Sequence, residues 1–198
     1  MSAVLQQPSM SLEDFLAWEE LQPIRYEFDG MRATSMAGGS LAHSLIKANL
    51  VTALGIRLRG KPCRRYNSDA KVTVAGHIRY PDATITCTEQ ASAERSRQGV
   101  VNEPVVVFEV LSESTSLKDR NDKNIEYRAT PSIRRYVMLE QERMSATVFE
   151  RAGDDWVGHL LFGADAVLEL PEVGIDSIPL PEFYEGVTLP EPSESDPG

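Results

Sequence analysis

The run Val105-Val106-Val107-Phe108-Glu109-Val110-Leu111 sets one carboxylate inside an apolar stretch. Such a stretch reads as a central strand buried on both faces, where a lone charge is costly unless a partner offsets it. Strand alternation places Val105, Val107 and Glu109 on one face and Val106, Phe108 and Val110 on the other. Upstream, Tyr80-Pro81-Asp82-Ala83-Thr84-Ile85-Thr86-Cys87 is a second strand candidate with a carboxylate near its start. If the two strands are neighbours, Asp82 and Glu109 converge on one cation. Magnesium accepts such a pair, because it takes hard oxygen ligands, keeps several waters and leaves room for a substrate phosphate. The competing reading makes Asp82 a turn residue and pairs Glu109 with a helical arginine.

Other groups could complete a phosphate chemistry. In LKDRNDKNIEYR, Lys123 lies one turn from both Asp119 and Tyr127. An Asp119–Lys123 pair on a solvated helix face explains it equally well and is worth only about 0.3–0.5 kcal/mol. His43 follows Gly38-Gly39-Ser40 near a helix start, with Lys47 one turn on, a setting that attracts anions. The stretch RLRGKPCRR adds Arg57, Arg59, Lys61, Arg64 and Arg65 at the end of that helix, more cations than the helix dipole calls for. No P-loop, Gly-x-Ser-x-Gly elbow, His-Glu-x-x-His helix or dinucleotide fingerprint occurs.

The elements that must position these groups are legible from periodicity. SMSLEDFLAWEE predicts a short amphipathic helix with Ser11 and Asp14 at capping-box spacing. Asp29-Gly30 between RYEF and MRATSM predicts a hairpin. Ala42, Ile46, Leu50, Ala53, Leu54 and Leu58 predict a helix over about 41–59. Three strand-like runs follow, CRRYNSDAKVTV, HIRYPDATITC and EPVVVFEVLS, the last two separated by a polar loop long enough to be mobile. A polar helix over about 116–129 ends at Thr130-Pro131, and IRRYVMLEQ, SATVFERAGDD, WVGHLLFGAD and AVLELP read as strands. The order predicts an α+β fold with helices on a curved mixed sheet, one domain over 1–190 and a disordered acidic tail over 191–198.

The chain has 198 residues and a net charge of −10. Acidity of that size argues against a polyanionic partner, but residues 41–82 carry a local balance of +6. Charges beyond a Debye length of about 8 Å are screened, so a phosphate responds chiefly to that block. The two thiols, Cys63 and Cys87, are too few and too far apart in sequence for a zinc cluster or a disulfide framework. They suit a reducing compartment, with the cytoplasm as the simplest address. No stretch approaches the about 20 apolar residues that span a bilayer.

Taken in order, SLEDFLAWEE, RYEFDG, MAGGSLAHSLI, NSDAKV, RYPDATI, VVVFEVLSEST, DRNDKNIEYRATPSIRRYVMLEQ and ATVFER resemble the Uma-two family of restriction endonucleases in the PD-(D/E)xK nuclease superfamily. The resemblance runs over about 11–189. It implies a restriction-endonuclease-like core and hydrolysis of phosphodiester bonds in DNA with Mg²⁺ or Mn²⁺. By that resemblance Asp82 and Glu109 are the metal-binding acids. The superfamily lysine is expected two residues after the second acid, where this chain has Leu111, so the role passes to Lys123 on the following helix. His43 matches the family histidine, and Glu27 and Asp69 match family positions without an assigned role. Lys47, Arg57, Arg59, Lys61, Arg64 and Arg65 are the expected nucleic-acid contacts. A homodimer is expected, because cutting both strands of a duplex calls for two centres. The competing functions are a catalytically weak nuclease-fold protein that binds nucleic acid, and a metal-dependent phosphoesterase acting on smaller substrates.

Overall fold

The computed structural model describes residues 10–36, 39–88, 99–101, 103–111 and 117–190, with residues 117–119 as backbone. Residues 1–9, most of the polar loop (89–98 and 102) and the expected tail at 191–198 lie outside the described residues.

Helix α1 spans Leu12–Glu19 and starts with the expected capping box, the Ser11 hydroxyl accepting the Asp14 N–H at 3.1 Å. Its Phe15 is fully buried and stacks on Phe28, ring centroids 4.8 Å apart. Strands β1 (Tyr26–Phe28) and β2 (Ala33–Ser35) form the expected hairpin. Asp29 Oδ1 accepts the N–H groups of Met31 and Arg32 at 2.9 and 2.7 Å, and Gly30 takes φ +87°, a conformation that favours glycine. Helix α2 (Leu41–Arg57) is capped by Ser40, whose hydroxyl accepts the His43 N–H at 3.1 Å.

Two larger sheets carry all but two of the described strands. The first has the order β2-β1-β5-β4-β7, with β4 Lys71–Val74, β5 His77–Arg79 and β7 Val100–Val101. The second has the order β11-β10-β9-β8-β6-β3, with β3 Arg64–Asn67, β6 Ala83–Thr86, β8 Val106–Leu111, β9 Arg135–Glu140, β10 Ser145–Ala152 and β11 Asp155–Phe162. Strands β8 and β9 run parallel, and helix α3 (Leu117–Ala129) lies in the crossover that a parallel pair requires. A hairpin of β12 (Val167–Leu170) and β13 (Ile175–Pro179) leads into a 3₁₀ turn, Leu180–Tyr184, that packs on α2.

The architecture is α+β with mixed sheets, as the sequence leads one to expect, but the strand runs are divided differently. CRRYNSDAKVTV yields β3 in one sheet and β4 in the other, and HIRYPDATITC likewise yields β5 and β6. Turn chemistry overrides the apparent continuity. Asn67 Oδ1 accepts the Asp69 N–H at 3.1 Å, and Pro81 has no N–H to extend a ladder. Strand β13 escapes the pattern reading because it is short and lies among Pro171, Gly174 and Pro179.

The central strands of the second sheet, β6, β8 and β9, are buried on both faces. Ile46, Leu50, Ala53, Leu54 and Leu58 of α2 belong to one core with Ile85, Phe108 and Val110. Val107 and Leu111 belong to the opposite core with Tyr127 and Tyr136. This is the face alternation expected over 106–111, but Val105, which precedes β8, packs with the first core and not on the face of Val107 as expected.

Cys63 and Cys87 form a disulfide, which corrects the expectation of free thiols. Sequence separation concealed the pairing: the register Arg64↔Thr86 sets Cys63 and Cys87 side by side where β3 begins and β6 ends. At the far side of this sheet β11 is an edge strand, with Val157, Leu160 and Phe162 exposed. No helix among the described residues is long and apolar enough to cross a membrane.

Candidate active site

Strand β6 runs antiparallel to β8 with Ala83 opposite Phe108, so one further step in this register sets Asp82 beside Glu109. The two acids therefore share one face at the end of adjoining strands. Asp82 Oδ2 accepts the Val110 N–H at 2.7 Å and lies 3.3 Å from His43 Nε2. Its Oδ1 lies 3.5 Å from Lys47 Nζ. Helix α2 thus presents His43 and Lys47, one turn apart, to the same carboxylate. Gly39 allows the approach, since a Cβ there would stand 2.6 Å from the His43 Nδ1 atom.

Glu109 is met from α3. Tyr127 donates its hydroxyl proton to Glu109 Oε1 at 2.7 Å, and Lys123 Nζ stands 3.6 Å from the same oxygen. Lys123 is closer still to Glu27 Oε1, at 3.0 Å. Its ammonium is largely buried, so it is not the solvated helix decoration that an Asp119 pairing would make it. The Asp119 side chain lies outside the described residues. Glu27 enters from β1 of the other sheet and has Arg79 Nη1 3.6 Å from its second oxygen. Arg79 in turn donates twice to Glu126, both at 2.7 Å, and His77 Nδ1 lies 2.6 Å from the same carboxylate.

The electrostatics of the two acids diverge. Burial opposes the charge of Asp82, but His43, the Val110 N–H and Lys47 more than offset it and hold the carboxyl below its ordinary pKa. Burial raises Glu109 to about 7, with Lys123 and the Tyr127 hydroxyl countering and Asp82 and Glu27 adding repulsion. Two titratable groups with environments that push them apart in one pocket mark a candidate active site.

The expected residues separate into three groups. Asp82, Glu109, Lys123, His43, Lys47 and Glu27 come together. Asp69 stands at the surface, 2.8 Å from Arg25 Nη2, and not against either acid. Arg57, Arg59, Lys61, Arg64 and Arg65 lie at the other end of α2 and beyond it. Arg57 follows His43 by 14 residues on one helix, a separation of about 21 Å. Arg57 is bound to Glu182 at 2.9 and 2.6 Å, Lys61 to the Gly174 carbonyl and Arg65 to the Val51 carbonyl. These three tie the helix end to neighbouring backbone and the C-terminal segment. Tyr127, which spacing set one turn beyond Lys123, Arg79 and Arg25 are the residues to which sequence reading gave no role at the site.

The donor set fits a magnesium or manganese ion. Asp82 and Glu109 offer hard oxygens from adjoining strands, and their mutual repulsion helps keep Glu109 hard to ionise until a cation offsets it. Among the described residues no three His, Cys, Asp or Glu side chains converge as a closed metal cage. Magnesium does not need one, since one or two carboxylates with water and substrate phosphate suffice.

A family model described as "Putative restriction endonuclease", Uma2, matches residues 12–178. The "Uncharacterized protein slr1290" of Synechocystis is 31% identical over 185 residues, covering 92% of this chain and 95% of its own. A second Synechocystis protein, "Uncharacterized protein sll1609", is 26% identical over 163 residues, covering 81% and 92%. The crystal structure of a "putative nuclease belonging to DUF820" from Anabaena variabilis superposes with a TM-score of 0.71 at 13% identity, covering 90% of this chain and 99% of that one. At that identity the likeness is one of fold.

Proposed function

The chain belongs to the Uma2 family, and from that premise we propose that it is a nuclease hydrolysing phosphodiester bonds in DNA, with Mg²⁺ or Mn²⁺ held by Asp82 and Glu109. The observation that carries this reading is the meeting of Asp82, Glu109, Lys123 and His43 at one strand end, from four separate stretches of chain. When bound, such an ion polarises the phosphate and lowers the pKa of an attached water.

The chain's own residues do the rest. The Val110 N–H and His43 fix the Asp82 carboxylate, and Tyr127 fixes Glu109 through Oε1. Lys123, steadied by Glu27, orients the attacking water and offsets charge that develops on phosphorus. His43 and Lys47, on the first turns of α2, hold a phosphate oxygen, and His43 assists proton transfer to or from it. Buried Arg79, 3.6 Å from the second Glu27 oxygen, holds that carboxylate in place beside Lys123.

The proposed working form is a homodimer joined through β11. This edge strand, Asp-Trp-Val-Gly-His-Leu-Leu-Phe, has no lysine, arginine or proline to discourage pairing. Antiparallel pairing about its own centre sets Val157 opposite Leu160 of the second copy and brings no like charges together.

The decisive experiment is cleavage of plasmid DNA with Mg²⁺ or Mn²⁺ by the wild type, Asp82→Ala and Glu109→Ala. Activity is expected only in the wild type. Activity that survives in both variants refutes the assignment. Cleavage of free nucleotides instead of plasmid favours the smaller-substrate phosphoesterase, and binding without turnover favours the accessory protein.

A further inference from the structure

The basic block on which a sequence reading places DNA lies at the wrong end of α2 for the acids, whereas two cations form a short path outward from Asp82. Lys47 Nζ stands 3.5 Å from Asp82 Oδ1 and donates to Ser68 Oγ at 3.1 Å. Arg25 Nη1 meets the backbone carbonyl of that same Ser68 at 3.5 Å. Exposure rises along this path, from 10% for the Asp82 side chain to 29% for Lys47 and 48% for Arg25. The Arg25 guanidinium also lies over the ring of Tyr80, 5.9 Å from its centroid and two residues before Asp82.

Resting on the nuclease reading above, we propose that Arg25 is the subsite for a phosphate flanking the scissile one, with Asp69 as the group that aims it. Asp69 Oδ1 lies 2.8 Å from Arg25 Nη2, and Asp69 Oδ2 accepts from the Asn67 amide at 3.3 Å. The carboxylate is thereby held from both sides. An exposed ion pair of this kind contributes only about 0–1 kcal/mol to folding. Its effect is to confine a long side chain to one direction. A guanidinium carries more donors than Asp69 and Ser68 use, and its planar fork suits a phosphate. The arrangement accounts for Asp69, which stands apart from the acids yet next to the one exposed cation on this path. It also resolves the charge problem: a chain of net charge −10 presents a local cationic track where phosphate must pass.

The test measures binding of a fluorescein-labelled DNA duplex to the full-length protein in EDTA, across a salt series. Each phosphate contact contributes about −0.9 to the slope of log affinity against log salt. Arg25→Gln is expected to make the slope shallower by about that amount. The double variant Arg59→Gln/Arg64→Gln is expected to leave it unchanged. Arg25→Lys keeps the charge but not the fork, so it is expected to keep the slope and lose affinity about three-fold. Folding of each variant is followed by circular dichroism. If Arg25→Gln does not fold, Arg25→Lys decides: wild-type affinity overturns the proposal. A wild-type slope in Arg25→Gln overturns it too, as does a larger loss in Arg59→Gln/Arg64→Gln. A wild type that neither binds nor cuts DNA refutes the nuclease reading itself. A wild type that does both, with an indifferent Arg25→Gln, removes only the subsite.

Discussion

Replacing Glu109 by glutamine is expected to stabilise the metal-free protein at neutral pH. The folded-state pKa of Glu109 is about 7 against an ordinary 4.5, so folding favours its neutral form. Proton linkage gives the sign. The stabilisation is fully present below the unfolded pKa and is lost as pH rises through the folded one. A shift of this size corresponds to roughly 3 kcal/mol between about pH 4.5 and pH 7. That is a large part of a typical stability of about 5–15 kcal/mol. Asp82, with its lowered pKa, acts in the opposite sense and in a lower range, so it does not overlap this window. Glutamine keeps an oxygen to accept from the Tyr127 hydroxyl and carries no charge to bury. The assay is urea unfolding in EDTA at about pH 4, below the unfolded pKa, and at about pH 8, wild type beside Glu109→Gln. The two are expected to agree at the lower pH and to differ by roughly 3 kcal/mol, in favour of the variant, at the higher. Replacing EDTA with Mn²⁺ at the higher pH is expected to raise the wild type alone. Parallel pH dependences in the two proteins would show that Glu109 is not held protonated by its surroundings and would refute the reasoning.

Further outcomes follow from other contacts. Tyr127→Phe removes the donor to Glu109 Oε1 and is expected to weaken Mn²⁺ binding about ten-fold, read by titration calorimetry; an unchanged affinity would show that the hydroxyl does not orient the acid. Reduction of the Cys63–Cys87 disulfide, whose partners are 24 residues apart, is expected to cost about 3 kcal/mol, measured by urea unfolding with and without dithiothreitol. Leu160→Lys is expected to convert the proposed dimer to a monomer in light scattering without loss of fold; a monomeric wild type at working concentration would dispose of the proposed β11 interface.

What the sequence disclosed depended on the range of the interaction. Capping at Ser11 and Ser40, the Asp29-Gly30 turn and the apolar stripe of α2 are local, and each lies where spacing puts it. The juxtaposition of Asp82 and Glu109 was legible because each stands in a strand-like run and a strand's alternation is rigid. The destination of each half of 63–74 and 77–87 was not legible, because a run with a turn at Ser68 or Pro81 has the same local composition whether its strands share a sheet or part company. Cys63 and Cys87 became partners only through the register of β3 on β6. In the RLRGKPCRR block a count of cations does not distinguish Arg57, Lys61 and Arg65, which tie down Glu182 and carbonyls, from the exposed Arg59 and Arg64.

The division of those runs has a mechanical consequence. The chain passes from one sheet to the other at Ser68–Ala70 and returns at Tyr80–Asp82, so the reactive acids hang from one layer while Glu27, Arg79 and Arg25 arrive with the other. Under the proposed function, a polymer that grips the first sheet pulls on β3 through Ser68–Ala70 and on β6 through Tyr80–Asp82. In the proposed nuclease, binding at one layer would thus be transmitted along the backbone to the acids carried by the other.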